Sequence, residues 1–79
     1  MMDNLNENFL ENCKKGDLEK VKLLLSQGAD IETKGVHGNT PLISASRNGC
    51  LEIVKHLLSQ GAEIEAKDYY GDTALILAP

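Results

Sequence analysis

The chain repeats itself at an interval of 33 residues, and this constrains its fold more than its composition does. Gly16 and Gly49 are 33 apart, as are Gly28 and Gly61. Laid over one another, residues 16–37 and 49–70 agree at 14 of 22 positions without a gap. The register then carries GNTPLISAS (38–46) onto GDTALILAP (71–79), with five of nine identical. A fixed offset of this length means that each copy is one supersecondary unit. Such a unit cannot bury its apolar face alone, so the copies must stack.

One copy can be read residue by residue. Thr40-Pro41 opens a helix, because Thr is a good N-cap and Pro is tolerated where the amide would be unpaired anyway. Leu42 and Ala45 fall three apart on one face, and the small side chains of Ser44, Ala45 and Ser46 let a second helix approach closely. Gly49 stops the helix by taking the left-handed conformation. The second helix is predicted from about Leu51 to Gln60, with Leu51, Val54, Leu57 and Leu58 as its apolar stripe and Glu52 pairing with Lys55 outside. After Gly61, Ala62 and Ile64 alternate with Glu63 and Glu65, which predicts an extended arm. The arm leads into a turn at Asp68-Tyr69-Tyr70-Gly71. Each copy is therefore helix, helix, hairpin.

These residues, GNTPLISASRNGCLEIVKHLLSQGAEIEAKD at 38–68, resemble the ankyrin repeat pattern, and the likeness runs from about Phe9 to Ala78. The resemblance implies an all-α repeat: an ankyrin-type solenoid of stacked helix-turn-helix pairs linked by β-hairpin-like loops. It also implies a function in binding other proteins. The chain departs from the pattern in several places. Ile43 and Ile76 stand where the family usually has His, replacing a polar network with apolar packing. Ala74 replaces the Pro of the helix opening. Glu32 and Glu65 replace a frequent Asn that some family members carry hydroxylated, so that modification is not expected. Asn12 stands where a small apolar residue is usual, which suits a first repeat facing solvent.

The whole chain reads as one domain: an N-terminal capping repeat at 1–37, a full repeat at 38–70 and a truncated third at 71–79. Counting back 33 residues makes FLENCKKGD (9–17) the first helix, with Asp3 to Asn8 as a water-facing cap, Asn8 as N-cap and Glu11 as a first-turn acid. Because nothing after Pro79 covers Leu75, Ile76 and Ala78, the expectation is an amino-terminal piece of a longer array that stacks on further repeats through those residues. The alternative is that the stub folds over the last groove.

Composition removes other classes. Eight basic against twelve acidic residues give a net charge of −4, which argues against a nucleic-acid surface. The longest apolar run, Ala74 to Pro79, is far below the roughly 20 residues that span a bilayer. With no Trp and one Phe, the core must come from the leucines. Cys13 and Cys50 suit a reducing, cytoplasmic interior as small buried side chains. His37 and His56 are the only imidazoles. Cys50 lies six residues from His56, on a different side of the helix, so no catalytic dyad forms. Glu63, Glu65 and Asp68 alternate along an arm that offers no oxygen cage for calcium. No enzyme, cofactor or metal site is expected.

A partner surface is sought where the copies differ at exposed positions. Gly35, Val36, His37 and Asn39 face Asp68, Tyr69, Tyr70 and Asp72, and Lys14 and Lys15 face Arg47 and Asn48. The resemblance puts both sets on one concave face. Tyr69 and Tyr70 are the leading candidates, since exposed aromatic rings often anchor interfaces. The alternative is that one ring packs on the neighbouring hairpin. Arg47 follows as a fork donor to a partner, while Lys34 and Lys67 at the hairpin base read as solubilising. The expected partner-binding set is Val36, His37, Asn39, Arg47, Asn48, Tyr69, Tyr70 and Asp72. Two other roles stay open: a structural spacer within a longer array, and a regulatory arm of a larger enzyme.

Overall fold

The computed structural model describes residues 4–74, so the expectations for Leu75, Ile76 and Ala78 lie outside the described residues. Among the described residues four helices run in order: α1 Asn4–Lys15, α2 Leu18–Ser26, α3 Pro41–Arg47 and α4 Leu51–Ser59, with a 3₁₀ turn at Val36–Gly38 between the two pairs. α1 packs on α2 and α3 on α4, and the pairs stack through α1 on α3 and α2 on α4. No strand occurs among the described residues.

The local chemistry follows the repeat. The Thr40 hydroxyl accepts from the Ile43 amide at 3.2 Å with Pro41 in the first turn, while Asp17 caps α2 by accepting from the Lys20 amide at 3.1 Å. Cys50 holds the place of Asp17 on α4, and its side chain makes no cap. Gly49 closes α3 at φ +69°, a conformation costly to any residue with a Cβ. All six residues from Pro41 to Ser46 are buried, which confirms the thin first helix, and Ile43 is packed as an apolar residue. Phe9, Val21, Leu24, Leu42, Ile53 and Leu57 share one core with Cys13.

Three expectations are corrected. On α4 the inward residues are Ile53 and Leu57, with Val54 beside them, whereas Leu51 is 50% exposed and Leu58 38%. Ile53 and Leu57 stand one turn apart and aim at α3; the leucines on either side are rotated toward water. The first helix begins by Asn4 rather than at Phe9, so Asn8 lies inside it and Glu7, not Glu11, is its first-turn acid. Leu5 packs on the core, and Asn6 Oδ1 accepts from the Asp30 amide at 2.8 Å, which gives the extra turn a reason to form. The arm after Gly61 is a pair of turns rather than extended chain. With no neighbouring strand to pair with, its amides bond locally or to the preceding repeat, as when Glu63 donates to Glu32 Oε2 at 2.7 Å.

Candidate functional site

The hairpins of the two repeats lie side by side and are tied together. The Tyr69 amide donates to the His37 carbonyl at 2.9 Å. Tyr70 Oη and His37 Nδ1 are 3.2 Å apart, with the two rings tilted at 45° and their centroids 5.4 Å apart. His37 itself holds φ +61°, which turns its carbonyl and ring toward the second hairpin. Beside it, Gly38 sits beneath the Tyr69 ring: a Cβ there would come within 2.6 Å of Cδ1. Even so, Tyr69 is 76% and Tyr70 68% exposed, and Val36 next to them is 66% exposed. The packing of a ring on the neighbouring hairpin is thus found for both tyrosines. Each ring rests on the preceding loop while presenting most of its surface to water.

Asp68 organises the second hairpin. Its buried carboxylate accepts through Oδ1 from the amides of Tyr70 and Asp72, both at 2.9 Å, and through Oδ2 from Arg47 Nη2 at 2.6 Å. Burial pushes this carboxyl up, but the Asp72 amide, the Arg47 hydrogen bond, the Tyr70 amide and the Arg47 charge together outweigh burial and hold it below its usual value. Arg47 also lies 3.7 Å from Asp72 Oδ2. The carboxylates this fork meets belong to the chain itself, so the guanidinium and Asp72 are engaged with each other. Asn48 donates from Nδ2 to the Ser44 carbonyl at 2.8 Å, so its side chain closes α3. Asn39 is half-buried, and its side-chain oxygen has no partner.

The sequence reading did not place a cavity that opens on the other side of Val36. It has a volume of about 470 Å³ and lies between α1 and the loop at 33–36. Leu10, Glu11 and Lys14 line one wall, and Lys34 and Gly35 the other. A signal for it was present: Gly35 stands where the second copy has Asp68, so a side chain is missing from one hairpin base. His56 is half-buried on α4, and the Lys55–Glu52 pair forms at 3.9 Å on the exposed surface. No group of three or more His, Cys, Asp or Glu among the described residues is placed to hold a metal ion, and no described helix is long and apolar enough to cross a membrane.

Comparison with known proteins agrees with this geometry. A family model described as ankyrin repeats, in three copies, matches residues 9–78. An ankyrin repeat protein of Acanthamoeba polyphaga mimivirus is 45% identical over 47 residues, which is 60% of this chain and 9% of the relative. The chain thus spans a small part of that curated relative's length.

Proposed function

We propose a function from one premise: this chain belongs to the ankyrin repeat family, whose members are generally protein–protein interaction modules. The reading is a non-catalytic module, working in the cytoplasm, that binds a partner protein through its hairpin tips and the adjoining concave face of the first helices. Val36, His37, Asn39, Tyr69 and Tyr70 make the contact, and Arg47, Asn48 and Asp72 hold the second hairpin in position for it.

One observation carries the reading. Two adjacent tyrosines, 76% and 68% exposed, are fixed by His37 and Gly38 of the preceding hairpin yet belong to no core. Rings held in place before binding lose little freedom on contact, which favours affinity. The test is retention of proteins from an extract by the chain and by its Tyr69→Ala/Tyr70→Ala variant, identified by mass spectrometry. The expected result is a set of proteins lost with the variant while its melting temperature stays within about 8 °C, since each such exposed position changes stability by about 0.5 kcal/mol or less. An identical retained set would overturn the site.

A second reading, stacking against a further repeat, has its own support. Asn6 holds the Asp30 amide, and Glu32 holds the repeat-equivalent Glu63 amide. Glu65, the counterpart of Glu32, is exposed and makes no hydrogen bond among the described residues. Its carboxylate offers the next rung of that series.

A further inference from the structure

The second repeat neutralises its own cation, and the first does not. Arg47 has Asp68 at 2.6 Å and Asp72 at 3.7 Å. Thirty-three residues earlier the same three places are held by Lys14, Gly35 and Asn39. The positive charge is kept and both carboxylates are gone. Among the described residues Lys14 and Lys34 form no ion pair within 4.0 Å. Leu10 closes over Gly35, where a Cβ would meet Leu10 Cδ1 at 3.0 Å and the Asn39 carbonyl at 3.9 Å, and alongside them lies the cavity of about 470 Å³.

We propose that this cavity receives an acidic side chain, aspartate or glutamate, from a partner protein, which takes the place beside Lys14 that Asp68 takes beside Arg47. The proposal rests on the reading of the hairpin face as a protein-binding surface and adds the chemistry of what binds. Glu7 and Glu11 also line the cavity, seven and three residues before Lys14 on α1. The groove is therefore negative toward the start of the helix and positive toward its end, where Lys34 adds a second cation. An incoming carboxylate is steered to the Lys14 end, and a basic neighbour in the partner would suit the other. Lys14 sits in the last turn of α1, where backbone carbonyls disfavour an anion. Arg47 ends α3 in the same way, and its ion pair forms regardless. Half-buried Leu10 offers apolar contact to the methylenes of the acid, and Val36 connects the cavity to the tyrosine patch.

The experiment is a titration of the chain with the α-amide of N-acetylaspartate, which carries the side-chain carboxylate alone, with the neutral α-amide of N-acetylasparagine as control, followed by ¹H–¹⁵N spectra. The acid alone should shift the amides of Leu10, Lys14 and Gly35. Those shifts should fall at least tenfold in Lys14→Gln, and in Gly35→Asp, where an intrachain carboxylate fills the place. Gly35→Asp should melt above Gly35→Asn, which meets Leu10 equally, and Lys14→Gln should cancel that difference. Shifts spread evenly over the surface lysines, or unchanged in Lys14→Gln, would overturn the proposal; so would no shift at all. Because this titration needs no partner protein, it can fail while the tyrosine test succeeds, and the reverse.

Discussion

Two glycines allow the contact under Tyr69 to be separated from backbone strain. Gly38 and Gly49 have φ of +75° and +69°, so alanine at either place meets the same left-handed penalty, roughly 1–2 kcal/mol. They differ in what the new methyl group would touch. At Gly49 nothing lies within 4 Å, whereas at Gly38 the Tyr69 ring stands at 2.6 and 2.7 Å, well inside the ~3.5–4.0 Å of ordinary carbon contact. The ring is 76% exposed, so it swings off into water instead of straining the core. Both variants should therefore lose about 1–2 kcal/mol, a fall of about 4–16 °C in melting temperature for a domain of this size. Only Gly38→Ala should alter the near-ultraviolet circular dichroism of tyrosine, and that band is readable because the chain has two Tyr, one Phe and no Trp. Gly38→Ala should also weaken partner capture, and Gly49→Ala should not. An unchanged tyrosine band would refute the contact. A loss in Gly38→Ala several kcal/mol beyond that of Gly49→Ala would refute the mobile ring.

Two further outcomes follow from the packing. Leu57→Ala should cost about 2–5 kcal/mol in urea unfolding, a large part of the about 4–12 kcal/mol available to a chain of this length, while Leu58→Ala should cost about 1 kcal/mol or less; equal losses would restore the stripe read from sequence. Burial first, and then the charge of Cys50, push the Cys13 thiol up from 9.0 to about 12. A thiol raised in the folded state contributes stability that is full below its unfolded value. Stability should thus decline between about pH 9 and pH 12, where the unfolded thiol ionises while folded Cys13 keeps its proton, and Cys13→Ala should flatten that decline in alkaline melts.

How much of this was legible follows from what the repeat encodes. The 33-residue offset, the Thr40 cap and the glycine stops are local or strictly periodic, and the helices form where those signals stand. The α4 stripe was misread because Leu51 and Leu58 are as apolar as Ile53 and Leu57, and only the position of α3 decides which pair faces inward. The longer α1 was missed because its extra turn is held by Asn6 at the Asp30 amide, a bond across 24 residues that no periodicity records. The exposure of the tyrosines is legible from their place at a turn. Their seat on His37 and Gly38 depends on two hairpins meeting, which a single copy cannot show.

Arg47 shows why variation between copies is an incomplete guide to a binding face. It differs from Lys14, it is partly exposed, and it suits a partner's carboxylate; yet Asp68 and Asp72, which also differ from their counterparts, satisfy it within the chain. Variable positions can compensate one another, and a set that does so is structural. Such positions become evidence for a partner only where the changes leave something unpaired. By that criterion the two repeats separate. In the second, the cation and its carboxylates changed together and closed on themselves. In the first, Lys14 retains its charge, Gly35 supplies no carboxylate and a cavity stands where one would go. The tyrosines fall between, pinned along one edge and open over the rest. The exposed rings and the uncompensated lysine meet at Val36, so the face we propose for a partner runs from the second hairpin tip back to α1, rather than forward to Arg47.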